Sequence, residues 1–319
     1  MMSKDIPIEE GLIITEEAIG KAKKIMQGCP ETKFTFEEYQ KYYKCVYFMC
    51  NYHNTYEKTM QLCMQLYNQF KRSLEESINT VVVPSLMCQD DDAYLLRQLV
   101  LMWSNYKLMA RWLCQFFQYL DQYFIPRDNL LSLDELTVSC FQDLVFKKFY
   151  CQFQAAALSL INQEREGLQI DCDLLKNVIH TFVELGKYGQ TKYYEDFEQA
   201  MLVDTSALYT RLASEWLLHD STADYVQKVY WCLSQENGRA SHYLHPRTAE
   251  MLRQIVRNQL LEQPANKLFE KKQAENSGIT TDYQKMLSKC AGMTLEEGSS
   301  VSATEEWLAA LMASSINIC

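Results

Sequence analysis

The sequence predicts an all-α fold, and three observations support this. Glycine and proline are scarce, with 10 and 6 in 319 residues, and scarcity of both favours regular helix. Apolar residues recur at the three- and four-residue spacing of helices along most of the chain. Strand-like alternation is almost absent, and the β-branched run at 79–83 is too short to carry a sheet. We therefore expect helical units laid end to end, in a solenoid-like stalk.

Capping and helix-breaking residues bound the first predicted helices. Pro30 ends the first, because proline cannot continue the hydrogen-bond ladder. Thr35 and Glu38 have the spacing of a capping box at the start of the second. Pro84 is expected to end the third helix. The acidic triplet 90–92 favours the start of the next, where the helix dipole is positive.

Similar signals bound the later helices. Pro126 follows the fifth, Gly186 closes the seventh, and Ser221 with Asp224 marks the start of the ninth. Beyond residue 273 the periodicity fades and a poorly ordered tail is expected, apart from a short amphipathic piece at 305–312. The predicted helices cover residues 9–28, 36–50, 55–83, 90–105, 108–125, 133–161, 173–185, 193–219, from 221, and 246–261.

Two of these helices are apolar on more than one side. The 108–125 helix carries one stripe at Met109, Leu113, Phe117, Leu120 and Phe124, and another at Leu108, Trp112, Phe116, Tyr119 and Tyr123. The 36–50 helix places Tyr39, Tyr43 and Tyr47 on one face. One stripe is enough to hold a surface helix on its core. The periodicity leaves open whether the second stripe is also core or binds a partner, for which tyrosine and tryptophan are well suited.

Charge and composition exclude several classes of protein. The formal net charge is −10, and the basic clusters at 21–24 and 267–272 are short, so no nucleic-acid partner is expected. No apolar run approaches the ~18 residues of a membrane span, and the N-terminus has no apolar signal segment. The 12 cysteines include no C-x-x-C pair. We therefore expect no membrane association and a reducing cytoplasmic or nuclear location.

No catalytic or cofactor-binding arrangement is recognisable. His242 and His245 have a spacing that could hold a metal, but a helix start at Pro246 explains them better. The triplet 90–92 lacks the further acidic residue that a magnesium-binding D-D-x-x-D motif needs, because Tyr94 and Leu95 follow. Phosphate-binding loops, nucleophile elbows and H-E-x-x-H helices are absent from the sequence. The sequence therefore predicts a non-enzyme with no cofactor or metal.

Several separate motifs, in order, make the chain resemble the cullins. They are Arg165-Glu-Gly167, Ile170-Asp171, Leu174-Leu-Lys-Asn-Val178, Phe182-Val-Glu-Leu-Gly186, Tyr193-Tyr-Glu-Asp-Phe-Glu198, Leu208-Tyr209, Ala223-Asp-Tyr225 and His242-Tyr-Leu244. Three more resemble plant cullins that work with F-box proteins: Trp103-Ser-Asn105, Arg111-Trp-Leu113 and Phe116-Phe-Gln-Tyr-Leu-Asp121. The resemblance covers roughly residues 8 to 270.

The resemblance implies a curved stalk of five-helix repeats in a non-catalytic scaffold of a ubiquitin ligase complex. Residues 1–140 would form the first repeat, 141–258 the second, and 259–319 a partial or degenerate third with the tail. In the family, the second and fifth helices of the first repeat bind the adaptor, here a Skp-type protein carrying an F-box substrate receptor. By resemblance, the expected contacts are Gln40, Tyr43, Tyr47, Trp112, Phe116, Tyr119 and Tyr123.

The chain departs from the family towards its C-terminus. The family's C-terminal half recruits the RING subunit and carries the lysine that accepts a ubiquitin-like modifier, whereas this sequence stops at Cys319, inside the expected third repeat. The expectation is a truncated scaffold that binds the adaptor but not the RING subunit, and that could compete with full-length cullins. Two alternatives stay open: a helical-repeat protein whose adaptor surface has drifted, suggested by Gln40, Gln115 and Gln118, and an all-α enzyme.

Overall fold

The computed structural model describes residues 7–29, 32–51, 55–87, 91–187 and 192–275, which are helical and contain no strand. The all-α prediction is confirmed; the tail from residue 276 onwards, with the predicted piece at 305–312, lies outside these ranges. No helix within them is long and apolar enough to span a membrane. The helices are α1 (Ile8–Met26), α2 (Phe36–Asn51), α3 (Tyr56–Ser77), α4 (Val83–Leu86), α5 (Asp92–Tyr119), α6 (Ile125–Asp128), α7 (Leu133–Phe141), α8 (Lys147–Arg165), α9 (Cys172–Gly186), α10 (Tyr193–His219), α11 (Thr222–Tyr243), α12 (Pro246–Arg257) and α13 (Ala265–Glu275).

The predicted helix starts have the expected caps. The Thr35 hydroxyl accepts from the backbone N–H of Glu38 at 3.2 Å, and the Glu38 carboxylate accepts from the N–H of Thr35 at 2.8 Å, which completes the capping box of α2. The Asp91 carboxylate accepts from two N–H groups in the first turn of α5. The Ser221 hydroxyl accepts from the N–H of Asp224 at the start of α11.

Two helix ends predicted at prolines were wrong. After α3 the chain makes a π-helical turn, Ile78–Val82, and continues into α4 with Pro84 in its first turn. After α5 a second such turn, Leu120–Phe124, leads into α6, which contains Pro126. Proline is tolerated in both places because a first-turn N–H needs no partner within its helix.

The predicted break near Asn105 was also wrong, because α5 is one helix of 28 residues. Asn105 is itself buried, and Trp103, Tyr106 and Met109 extend the inward-facing stripe past it. A polar residue in a helical pattern therefore did not mark a loop here. The consequence is a long central helix against which α1, α2, α8 and α9 all pack.

Packing divides the chain into two compact units, residues 1–194 and 195–319. In the first unit, α9 is the most C-terminal helix that packs on α5. Its Glu184 accepts hydrogen bonds from Trp103 Nε1 at 2.8 Å and Lys107 Nζ at 2.6 Å. The repeat boundaries at 140 and 258 stay a prediction, because a repeat is defined by internal correspondence and not by compactness.

The second unit has its own apolar core. Its described helices bury the apolar side chains of Phe197, Met201, Leu202, Tyr209, Tyr225, Val226, Val229, Leu252, Val256, Leu260 and Leu268. The Tyr209 hydroxyl donates to Glu236 Oε1 at 2.8 Å, and Arg239 pairs with the same oxygen at 3.0 Å. Buried charge is tolerated here because it is paired and hydrogen-bonded.

Candidate functional site

The two stripes of α5 separate in the structure. All five residues of the first are buried: Met109, Leu113, Phe117, Leu120 and Phe124. The prediction that they form core is confirmed. The second stripe lies beside α2, and its side chains range from fully buried to exposed.

A surface rich in tyrosine forms where α2 meets the C-terminal end of α5. We call it the tyrosine face and define it by Tyr43, Tyr47, Tyr119 and Tyr123. The Tyr47 and Tyr119 rings meet edge-on with centroids 5.3 Å apart, and those of Tyr119 and Tyr123 lie 4.6 Å apart. Partial burial raises the pKa of Tyr43, and the nearby tyrosines, including Tyr123, add to the effect. The structure thus brings together residues predicted on two separate helices.

The remaining predicted site residues lie around this face. Gln40 is half-buried one turn before Tyr43, and Trp112 is half-buried two turns before Tyr119. Gln40 Oε1 accepts from Lys44 Nζ at 3.1 Å, which keeps this part of α2 polar. Trp112 packs on Phe34, with ring centroids 5.0 Å apart.

Phe116 lies beneath the surface, although it was expected to contact a partner. Its exposed fraction is 0%, and its ring packs against Phe34 at 4.9 Å and Tyr42 at 5.2 Å between centroids. Phe34 precedes α2 and folds over the second stripe of α5. Helical spacing cannot reveal such a long-range cover, so the structure gives Phe116 a supporting role.

Asn51 is a residue of this site that the sequence reading missed. Its Oδ1 accepts from the Tyr119 hydroxyl at 2.7 Å, and its Nδ2 donates to the backbone carbonyl of Tyr47 at 3.1 Å. Burial raises the pKa of Tyr119, while the bond to Asn51 opposes this shift. Asn51 thus fixes one tyrosine of α5 to the end of α2. Its position four residues after Tyr47 was the available signal.

Ion pairs hold α2 against α1 behind the face. Glu17 accepts from Lys41 Nζ at 2.6 Å and from the Tyr42 hydroxyl at 3.0 Å. Lys21 donates to Glu38 at 2.5 Å. These bonds hold the pKa of both carboxyl groups below the usual value, with the lysine contributing most in each case.

Two depressions lie along these helices, and the smaller one is lined by residues of the tyrosine face. A groove of about 920 Å³ runs along α5, lined among others by Phe36, Tyr39, Trp112 and Glu184. A smaller cavity of about 220 Å³ lies beside Tyr119 and Tyr123. The exposed ring of Phe36 at the rim of the groove is a further apolar group that the sequence reading did not assign.

The other sequence candidates have structural roles. His245 caps α12 by accepting, through Nδ1, from the N–H of Arg247 at 3.3 Å. Asp91 caps α5, while Asp90 lies outside the described residues. Within the described ranges, no group of three or more His, Cys, Asp or Glu side chains could hold a metal ion.

Comparison with known families identifies the chain. Residues 19–301 match the Cullin alpha solenoid domain. The chain belongs to the cullin family. This agrees with the all-helical architecture of the part of the chain that the structure describes, and it confirms the resemblance drawn from the separate motifs.

Related cullins differ widely in how much of their length this chain covers. Cullin-1 of Oryza sativa subsp. japonica is 42% identical over 275 residues, which are 86% of this chain and 36% of the relative. Cullin-2 of Arabidopsis thaliana is 34% identical over 279 residues, 87% of this chain and 36% of that cullin. Cullin-like protein 3 of Arabidopsis thaliana is 35% identical over 240 residues, 75% of this chain and 91% of the relative. The chain therefore spans about a third of the long cullins and most of the short one.

Proposed function

We propose that this cullin is a non-catalytic scaffold that binds a Skp-type adaptor, together with its F-box protein, through the tyrosine face. The observation that supports the proposal most is the joining of α2 and α5 into one aromatic surface. Tyr43, Tyr47 and Tyr119 are partly exposed and Tyr123 is largely exposed, on a base of buried rings. Rigid aromatic side chains with polar tips lose little entropy on binding and are frequent at hot spots.

The proposal places the chain in ubiquitin-dependent protein degradation, in the cytoplasm or nucleus. Under this proposal the chain would compete with full-length cullins for adaptor and F-box complexes, because both would bind the same adaptor surface.

The test is a binding measurement between the purified chain and a purified Skp-type adaptor bound to an F-box protein. Tyr43→Ala and Tyr119→Ala should each weaken affinity by about 2 kcal/mol, or roughly 30-fold, because each removes a partly buried ring from the face. Calorimetry gives the affinities, and circular dichroism checks the fold of each variant.

The matched control is Tyr94→Ala. Tyr94 is an exposed tyrosine on the same helix, about 37 Å from Tyr119 along the axis at 1.5 Å per residue. It should leave the affinity unchanged. If Tyr43→Ala and Tyr119→Ala fold normally and bind as tightly as the parent, the adaptor site is not this face. If the parent itself does not bind, the drifted-repeat alternative holds.

A further inference from the structure

Asn51 is the last residue of α2, and both the nitrogen and the oxygen of its side-chain amide form hydrogen bonds. The nitrogen, Nδ2, donates to the backbone carbonyl of Tyr47 at 3.1 Å. The oxygen, Oδ1, accepts from the Tyr119 hydroxyl at 2.7 Å. The first bond stays within α2, whereas the second crosses to α5. Asn51 is exposed and Tyr119 is half-buried, so this amide joins the two helices at the surface.

The chemistry of these groups fixes the direction of both hydrogen bonds. A backbone carbonyl can only accept, so the amide nitrogen of Asn51 must face Tyr47 and the amide oxygen must face Tyr119. An amide oxygen also can only accept, so the Tyr119 hydroxyl must donate its one proton to Asn51. The Tyr119 oxygen then keeps its capacity to accept a hydrogen bond, but it has no second proton to donate.

Neighbouring rings hold Tyr119 in the same orientation. The ring of Tyr47 meets it edge-on with centroids 5.3 Å apart, and the ring of Tyr123 lies 4.6 Å away. Together with the bond to Asn51, these contacts restrain the Tyr119 side chain both along its ring and at its tip. A side chain that is already ordered loses less entropy when a partner covers it. The tyrosine face therefore carries one oriented hydrogen-bond acceptor.

We propose that Asn51 is a positioning residue for adaptor binding, because it presents the Tyr119 oxygen to the adaptor as a hydrogen-bond acceptor. This inference rests on the proposed function and specifies the chemistry of the partner. The adaptor must place an N–H or O–H donor opposite Tyr119. A carbonyl or carboxylate oxygen in that place would meet a second acceptor, and leaving such groups desolvated and unpaired lowers affinity. Asn51 thus contributes to the specificity of the face as well as to its geometry.

A double-mutant cycle tests the positioning role. Calorimetry measures the affinity of the full chain for the adaptor and F-box complex in the parent, Asn51→Leu, Tyr119→Phe and the double variant. Tyr119→Phe should weaken binding about fivefold, because it removes the acceptor and keeps the ring. Asn51→Leu should weaken binding by about the same factor, because leucine cannot hold the hydroxyl in place. The double variant should bind no more weakly than Tyr119→Phe, since Asn51 acts through that hydroxyl.

Matched controls separate this role from a general effect of the substitutions. Asn68 is an exposed asparagine of α3 and Tyr94 an exposed tyrosine of α5, and Asn68→Leu and Tyr94→Phe should leave the affinity unchanged. Urea unfolding checks that each variant folds. If the losses of Asn51→Leu and Tyr119→Phe multiply in the double variant, Asn51 acts independently of the hydroxyl and the proposal is overturned. Binding of Asn51→Leu as tight as that of the parent would overturn it as well.

A crystal structure of the parent chain with the adaptor and F-box complex tests the predicted partner group, even if a variant fails to fold. An adaptor N–H or O–H group should lie within about 3.2 Å of Tyr119 Oη, with the bond between Tyr119 and Asn51 retained. A carbonyl or carboxylate oxygen in that place would overturn the inference and leave the proposed function standing. A parent chain that does not bind the complex at all would overturn both.

Discussion

Neighbouring residues of one helical stripe have different roles according to what lies above them. Phe116 and Tyr123 both belong to the second stripe, yet Phe116 is 0% exposed and Tyr123 is 56% exposed. The difference comes from Phe34 and Tyr42, whose rings cover Phe116. The spacing of apolar residues fixes the side of a helix on which a residue lies, whereas the packing of other segments decides whether that residue reaches the surface.

Stability measurements should separate these two roles. Phe116→Ala is expected to lower the free energy of unfolding by about 3–5 kcal/mol, because it removes a fully buried ring. Tyr123→Ala should change it by only about 0.5 kcal/mol and should act on adaptor affinity instead. Urea denaturation followed by circular dichroism gives both values. Similar losses of stability in the two variants would contradict the assignment of Phe116 as a buried support and of Tyr123 as a surface residue.

The carboxyl group of Glu38 should contribute a pH dependence to stability. Its pKa in the folded chain is lowered from 4.5, first by the hydrogen bond from Lys21 and then by the backbone N–H of Thr35. Because this pKa is lowered, the ionised carboxyl group contributes its full stabilisation above about pH 4.5. That stabilisation is lost as the pH falls through the pKa of the folded chain. Glu38→Gln should therefore lose stability relative to the parent above this pH, with the difference shrinking at lower pH.

Denaturant titrations from pH 7 down to pH 3 would measure this difference. Lys21→Gln should show the same trend in weaker form, because the capping bond from Thr35 remains. The double variant should fall short of the sum of the two single effects, since the residues are partners. If the difference in free energy of unfolding between the parent and Glu38→Gln stays constant from pH 7 to pH 3, ionisation of Glu38 does not contribute to the pH dependence of stability.

At the scale of the helix, local signals in the sequence predicted where helices start better than where they end. Thr35 and Ser221 cap the helices they were expected to cap, because capping involves only residues within one turn. The ends expected at Pro84 and Pro126 were wrong, because the π-helical turns before them place each proline in a new first turn. No short-range pattern in this sequence indicates such turns.

The same distinction applies to the candidate site. Periodicity predicted two apolar stripes, and the resemblance to cullins was needed to assign one of them to the core. The grouping of Tyr43 with Tyr119 needed, in addition, the packing of α2 on α5. The hydrogen bond between Asn51 and Tyr119 joins residues 68 positions apart. The spacing of Asn51 from Tyr47 places both on one face of α2, but the partner of Asn51 on the other helix depends on the fold.

Two glycines of α1 should respond oppositely to alanine because of how α1 meets α2. A Cβ on Gly11 would lie 2.5 Å from Met49 Sδ, and Met49 is buried, whereas a Cβ on Gly20 would meet nothing within 4 Å. Gly20→Ala should raise the free energy of unfolding by up to about 1 kcal/mol, through helix propensity. The free energy of unfolding of Gly11→Ala should be about 1–3 kcal/mol lower than that of Gly20→Ala, because the added methyl group overpacks the contact between the helices.

Thermal or urea unfolding of the two variants measures this difference directly. Gly20→Ala is the control for Gly11→Ala, because it is the same substitution in the same helix. Equal stabilisation by both would show that α1 and α2 do not approach closely at Gly11. Adding Met49→Ala to Gly11→Ala should relieve the overpacking, so the combined loss should be smaller than the sum of the two single losses.

At the scale of the whole molecule, all seven candidate contact residues belong to the first compact unit, residues 1–194. This unit includes Tyr193, whose ring lies 4.8 Å from that of Phe146 and whose carbonyl accepts from the Tyr150 hydroxyl at 2.6 Å. Its core and the candidate face are therefore built from the same helices. The adaptor proposal depends on this unit alone.

A fragment of residues 1–194 is therefore expected to unfold cooperatively and to bind the adaptor and F-box complex with the affinity of the whole chain. A second fragment ending at residue 187 should be less stable, because it lacks Tyr193 and leaves Phe146 and Tyr150 uncovered. Urea unfolding and calorimetric titration of both fragments provide the measurements, and Tyr119→Ala within fragment 1–194 serves as the control with weakened binding. A cooperatively folded fragment 1–194 that fails to bind while the whole chain binds would place residues essential for recognition beyond 194, and the tyrosine face would not suffice as the adaptor site.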